Sequence, residues 1–340
     1  MPYKLAITGM GRIGRSVLRA LFERGLTDQF ELVAVNDLAP AKTLAHLLKY
    51  DSTQGAFAEE VGLTDDGCLM VGANRVQVFA EKDPSKLPWA ELGIDLLLDC
   101  SGAFRSRDKA AQHLLAGTPK VLLSAPAGSE LDATVVFGVN HRLLRAEHQI
   151  VSNASCTTNC LAVLLKPLVD HLGIESGLLH TVHAYTGDQH LVDSAHKDLR
   201  RARAAGVSMI PTKTGATAAV GMVIPELAGR LQGFAMRVPT LNVSVCDLTF
   251  VPSRATSVEE INSLLGNAAK GPLQGLLDIN NEPLVSIDFN HRSASGIYDQ
   301  TLTQVADDGR LVKLMAWYDN EWGYSCRMLD TAKAWLETKQ

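Results

Sequence analysis

The chain has 340 residues, 46% of them hydrophobic and 20% charged, with 32 Lys and Arg against 37 Asp and Glu for a formal net charge of -5. This is globular composition with room for two domains of roughly 150 residues each, and its acidic balance gives no general pull toward nucleic acid or anionic membrane. The six cysteines are dilute, no apolar run reaches the roughly 18 residues of a membrane span, and the apolar stretch before Gly9 is too short for a secretion signal, so a cytoplasmic protein is expected.

The first element is a strand, Leu5-Ala6-Ile7-Thr8, followed by Gly9-Met10-Gly11-Arg12-Ile13-Gly14 and a helical run from Arg15 to Glu23 with Val17, Leu18 and Leu21 on one side. Gly9 allows the tight turn, Gly11 lets backbone approach a pyrophosphate, and Gly14 lets the helix pack on the strand with its N-terminus facing the anion. Arg12 and Ile13 complete this cofactor-binding loop. A second strand, Glu31 to Asn36, delivers Asp37 about 20 residues beyond the glycines, where a carboxylate accepts hydrogen bonds from ribose hydroxyls and repels a 2'-phosphate. NAD is the expected cofactor.

Further strand-like runs, Ile94 to Cys100, Lys120 to Ser124 and Thr134 to Val139, alternate with amphipathic stretches through residues 1–155. The alternation predicts an α/β fold of Rossmann type, a doubly wound parallel sheet. Beyond it the strands lengthen, as in Gly177 to Tyr185 and Phe234 to Phe250, and helices thin out to Val258–Lys270. Residues 156–320 therefore read as an α+β catalytic domain. A last helix over Glu321 to Thr338 carries Trp322, Cys326, Leu329 and Leu336 at helical spacing, and the segment 321–340 is assigned to the first domain.

Between the domains stands Ser152-Asn153-Ala154-Ser155-Cys156-Thr157-Thr158-Asn159-Cys160, running into Leu161-Ala162-Val163-Leu164-Leu165. The pattern puts Cys156 at a helix N-terminus, whose partial positive charge, near roughly +0.5, lowers a thiol from about 8.5 toward roughly 3.5–7.5. Cys156 is the candidate nucleophile. Cys160 lies one turn on and is assigned to packing, and Cys100, Cys246 and Cys326 read as small core residues. With no CxxC pair and no HExxH arrangement, no metal is expected. The strand Leu178 to Thr186 offers His180 and His183 as bases on opposite faces, and periodicity alone leaves the two equal.

Ser155 to Cys160 together with His183-Ala184-Tyr185-Thr186-Gly187-Asp188-Gln189 resembles the phosphorylating glyceraldehyde-3-phosphate dehydrogenase family. Further matching stretches are Ser124-Ala125-Pro126-Ala127, Asp198 to Arg203, Pro211 to Gly215, Met236 to Thr240 and Trp317 to Glu321. The resemblance implies that Cys156 attacks an aldehyde and that His183, rather than His180, is the base, with a thioester left on Cys156 for inorganic phosphate to attack. It further implies that Thr186, Asp188 and Arg237 hold the phosphate of a phosphorylated small aldehyde. Ser155, Thr157, Thr214 and Gly215 then hold the incoming phosphate, with Arg201 near both. Lys197 to Arg203 would otherwise be a solvated basic face, and the motif changes that reading for Arg201 alone. Ser124 and Asn320 join the cofactor set, Asn320 also suiting an N-cap of the last helix. A homotetramer with a place in glycolysis and gluconeogenesis is the family expectation.

Two departures and one rival reading keep alternatives in view. Ser194-Ala195 stands where strictly NAD-dependent members carry Leu-Pro, which brings NADP in as a second cofactor. Leu44 to Asp51, Leu87-Pro88-Trp89 and Asp132 to Val136 resemble the sister erythrose-4-phosphate dehydrogenase family. That family usually has glutamate in place of Asp37, and the positions near the chemistry favour the triose. From another class, the chain also suits a non-catalytic NAD-binding redox sensor whose thiol is oxidised rather than acylated.

Overall fold

The computed structural model describes residues 1–128 and 130–338. Within them the chain divides into two compact units. One comprises Met1–Phe137, His141–Ala154 and the segment from Ser325 on, the other Gly138–Asn140 and Ser155–Tyr324. Residues 339 and 340 of the expected C-terminal segment lie outside the described residues.

Among the described residues, the first unit is built on a nine-stranded sheet. Its strands run in the order Ala133–Thr134, Ile150–Ser152, Val121–Leu123, Leu96–Asp99, Tyr3–Thr8, Phe30–Asn36, Asn74–Phe79, Leu69–Val71 and Val61–Leu63. The first seven are parallel and the last two are added through antiparallel pairings, so the expected doubly wound sheet is present with an edge of different character. Parallel strands covered on both faces are apolar throughout, and Leu5, Ala6, Ile7, Leu96, Leu97 and Leu98 are fully buried. One side of the core joins Ala6, Ala34, Leu97, Val121 and Ile150 to Trp89 and Ala110. A Leu97→Ala cavity there costs about 2–5 kcal/mol.

Order reverses at the first strand: Phe30–Asn36 lies on one side and Leu96–Asp99 on the other. The carboxyl ends of such strands at such a reversal open a crevice for ligands. The antiparallel edge was not read from the sequence. Thr134 to Val139 also needs correcting, because the ladder stops at Thr134. Val135 and Val136 are buried beyond it, with Gly138 in a left-handed turn at φ 89°.

The second unit carries a mixed eight-stranded sheet, among the described residues. Ile174–Ala184 is central, parallel to Leu231–Val238 and antiparallel to Ser244–Pro252, which pairs in turn with Val312–Tyr318. The α+β expectation therefore holds. Phe234 to Phe250 is not one strand: the chain leaves the sheet after Val238 and re-enters at Ser244, with Val243 left-handed at φ 66°. Pro239, which has no N–H for a ladder, explains the exit. The helix Cys156–His171 packs on Val312–Tyr318 and Gly296–Asp299. Gly296 permits that approach, since a Cβ there would stand 3.2 Å from Cys160 Sγ.

The last helix, Trp322–Leu336, falls within its expected range. Its later turns are tied to the first unit by Arg24, which donates to Cys326 O at 3.0 Å and Asp330 Oδ1 at 2.8 Å, and by Trp335 Nε1 donating to Arg145 O. No helix among the described residues is long and apolar enough to cross a membrane.

Candidate active site

The crevice of the first unit has a volume of about 520 Å³ and is lined by Gly9, Gly11, Asp37, Leu38, Glu81, Lys82, Cys100 and Phe104 among others. Ligand pockets commonly fall at roughly 300–1,000 Å³. Gly9 sits at φ 85°, and a Cβ on it would come within 2.5 Å of Ser101 backbone. At Gly14 a Cβ would meet Gly9 O at 2.0 Å, so the helix Arg12–Glu23 closes on the strand only with glycine there. Gly11 is the helix cap, and a Cβ on it would meet nothing within 4 Å. Two glycines serve the fold and the third leaves open space at a helix N-terminus, a fit for a pyrophosphate.

Asp37 is part of the same construction. Its Oδ2 accepts the Met10 N–H at 2.7 Å and its Oδ1 the Ala39 N–H at 2.9 Å, so the carboxylate braces the glycine loop. The Arg12 guanidinium pairs with Asp51 and points away from simple ligand duty; what this residue and Ile13 bring to the crevice is the first helical turn. Ser124 follows the strand Val121–Leu123, its N–H donating to Asp99 O at 2.9 Å.

The thiol of the second unit is delivered by a strained turn. Ala154, buried and left-handed at φ 55°, precedes Ser155, whose Oγ accepts the Thr158 N–H at 3.1 Å and caps the helix that begins at Cys156. A non-glycine residue held left-handed costs about 1–2 kcal/mol and is a common mark of functional turns. Cys156 is half-buried, with Sγ 3.6 Å from His183 Nε2. His183 Nδ1 donates to Ala184 O at 2.6 Å, which leaves the Nε2 lone pair toward the sulfur. The ring packs edge-on against Tyr318, centroids 5.9 Å apart, and the Tyr318 hydroxyl bonds Thr157 Oγ1 at 2.8 Å and Thr181 Oγ1 at 3.0 Å.

Charge states follow from this burial. His183 is pushed down to about 3 by desolvation and by Arg237 and Arg201, so its imidazole is neutral and basic in form. Burial also pushes the Cys156 thiol up, against the opposing pull of Arg237 and Thr157. Where the helix start led to an expected lowering, burial instead pushes the thiol up, and the pair rests as thiol and neutral imidazole.

Around this pair the strand Leu231–Val238 contributes Arg237, whose Nη1 donates to Ala184 O and Thr186 Oγ1, each at 3.1 Å. Arg237 Nε is buried with no partner, an orphan cation edge suited to an anion. Arg201 forms an ion pair with Asp188 and donates from Nε to Thr212 Oγ1 at 2.9 Å. Thr214 Oγ1 accepts the Ala216 N–H at 3.2 Å, and Gly215 caps the helix Ala216–Val223. Two hydroxyls assigned to phosphate are already engaged, Ser155 as a cap and Thr157 with Tyr318.

Asn320 is buried, its Oδ1 accepting from Ser244 Oγ at 2.8 Å. It is not the cap of the last helix. Asp319 is, its Oδ1 accepting the N–H groups of Glu321 and Trp322 at 2.9 and 2.8 Å. His180 turns to the other face of its strand, its ring 4.6 Å from that of Phe234. Cys160 is fully buried against Ala316 O. Tyr318 and Thr181 were not singled out in the sequence; Tyr318 is far from His183 along the chain, on a strand that reaches that of His183 only through Ser244–Pro252.

Residues 3–107 match the family model described as glyceraldehyde 3-phosphate dehydrogenase, NAD binding domain, and residues 155–320 match that of the C-terminal domain. Glyceraldehyde-3-phosphate dehydrogenases of Cupriavidus necator and Pseudomonas aeruginosa are each 57% identical over 334 residues, 98% of this chain and 98% of theirs. That of Xanthobacter flavus is 56% identical over the same span. With a dinucleotide crevice in one unit and a cysteine–histidine pair ringed by arginines in the other, the chain belongs to the glyceraldehyde 3-phosphate dehydrogenase family.

Proposed function

We propose that the protein oxidises glyceraldehyde 3-phosphate to 1,3-bisphosphoglycerate with NAD and inorganic phosphate, through a thioester on Cys156. The observation that carries this is the 3.6 Å approach of Cys156 Sγ to His183 Nε2. As sulfur adds to the aldehyde carbon, His183 takes the thiol proton and passes it to the carbonyl oxygen, giving a hemithioacetal. His183 then removes that hydroxyl proton as the carbon loses hydride, and the thioester remains; such base assistance is worth about 10²- to 10⁴-fold. Gly9, Gly11, Arg12, Ile13, Gly14, Asp37, Ser124 and Asn320 would hold NAD, which would supply the hydride acceptor. A phosphate oxygen finally attacks the thioester carbon, the C–S bond breaks, and the proton returns to sulfur.

Arg237, Thr186 and Arg201 supply cationic and hydroxyl donors for phosphate groups, with Ser155, Thr157, Thr214 and Gly215 around the incoming one. Asp37 supports NAD over NADP through its charge, although Ser194 and Ala195 leave NADP as the second cofactor to test. We assign a cytoplasmic location, supported by six free cysteines, and a homotetramer, supported by the exposed Leu191, Val192, Leu199, Val207 and Met209 within one segment.

The test is an assay of two aldehydes, glyceraldehyde 3-phosphate and erythrose 4-phosphate, against NAD and NADP, with and without phosphate. Phosphate-dependent NADH formation from the triose is expected to be fastest. Faster oxidation of the tetrose without phosphate would reassign the substrate, and no turnover of either aldehyde would favour the redox-sensor reading.

A further inference from the structure

One group in the proposed phosphate site has the wrong sign for direct contact. Burial would raise the Asp188 carboxyl, but its ion pair with Arg201 and the nearby His196 more than offset that and hold it below its ordinary value, so it is ionised. An ionised carboxylate has no proton to donate to a phosphate oxygen and repels it at short range. The Asp188 side chain therefore serves the site through another residue.

The surrounding network shows how. Arg201 is gripped on two sides. One nitrogen, Nη1, meets Asp188; Nε donates to Thr212 Oγ1 at 2.9 Å, and that hydroxyl donates to Asp198 Oδ2 at 2.7 Å. His196 joins the two arms: its Nδ1 lies 2.9 Å from the Asp198 N–H and 3.1 Å from Asp198 O, and its Nε2 faces Asp188 Oδ2 at 3.6 Å. The shorter of the two Nδ1 contacts is to an N–H and Nε2 faces a carboxylate, which together assign the ring proton to Nε2. His190 packs edge-on against this ring, centroids 6.1 Å apart. Each link constrains the next, and the chain ends on a guanidinium with its Nη2 edge left for an anion.

We propose that His196 is a positioning residue of the phosphate site, holding the Asp188 carboxylate so that Arg201 is fixed in the orientation that receives a phosphate. This rests on the phosphorylating reading above. Asp188 is then a brace rather than a ligand, and the geometry of Arg201 depends on a histidine that never touches substrate.

Two substitutions separate the arms. His196→Asn keeps an acceptor near the Nδ1 position for the Asp198 N–H but has nothing at Nε2; His196→Gln keeps a donor near Nε2. The measurements on the full-length protein with NAD are the dissociation constant of inorganic phosphate by calorimetry, KM and kcat, and Tm. His196→Asn is expected to weaken phosphate about tenfold and to raise KM for phosphate with kcat at saturation, NAD affinity and Tm near wild type. His196→Gln should stay within about threefold of wild type. Wild-type phosphate affinity in His196→Asn, or equal losses in both variants accompanied by a lower Tm, would overturn the proposal. Arg201→Gln is the control: if it binds phosphate as wild type does, the phosphate site itself is misassigned, a failure distinct from that of His196.

Discussion

The two units solve the problem of building a site in opposite ways. In the first, backbone does most of the work: glycines bring helix, strand and loop so close that added Cβ atoms would overlap them, and Asp37 secures the loop through main-chain N–H groups. In the second, side chains from separate strands and a helix converge, with Cys156, His183, Arg237 and Tyr318 each borne by a different element. A backbone site is written in one short stretch of sequence. A convergent site is assembled by the sheet and depends on its register.

If this division is sound, the two sites can be broken separately. Cys156→Ser should have the largest effect, cutting aldehyde-dependent NADH formation by at least about 10⁴-fold while NAD binding, followed by fluorescence titration, is retained. Persistent turnover would remove the covalent mechanism. His183→Asn should cost about 10²- to 10⁴-fold in kcat, and the remaining activity should lose any advantage of the base; a kcat near wild type would return the role to another group. Gly9→Ala does the reverse. Strain of about 1–3 kcal/mol at a left-handed position, together with the overlap at Ser101, should weaken NAD by about tenfold or more. Alkylation of Cys156 should proceed at its usual rate, and unchanged NAD affinity would show that the loop is not the binding element.

The smallest effect sharpens the contrast on the cofactor side. His113 is fully buried, both ring nitrogens lack partners, and its ring lies edge-on to Phe104, which lines the crevice. Burial lowers it from 6.5 to about 4. Because the folded value is the lower one, the unfolded chain takes up the proton first. The stability of the neutral form is complete above pH 6.5 and is lost as pH falls toward 4, on the order of 3 kcal/mol at that limit. His113→Leu should flatten the acid limb of a Tm–pH curve; an unchanged slope would assign that limb to other groups, His183 among them.

The same contrast explains what could be read beforehand. Gly9 to Gly14 and Asp37 declare their role within 29 consecutive residues, because the strand, turn and helix they need are local. Cys156 at a helix start was legible for the same reason. Periodicity could not choose between His180 and His183, since alternation only gives two faces; the resemblance pointed to His183, and the packing puts that ring beside the thiol. Tyr318 and His196 escaped notice because one acts across a sheet and the other sits in a segment with no period. The break at Pro239 to Val243 was hidden by apolar residues on both sides, and the thiol expectation failed because a sequence shows the helix start but not the burial that opposes it.

Asp37 also bears on how cofactor preference can change. The same carboxylate that discriminates against an extra phosphate on the ribose, in the role proposed for it, is the clasp on the Met10 and Ala39 amides. Removing it to admit the bulkier nucleotide would loosen the cradle shared by both. A lineage, or an engineer, moving between the two cofactors must first install a substitute fastening, so the shift calls for at least two coordinated changes rather than one.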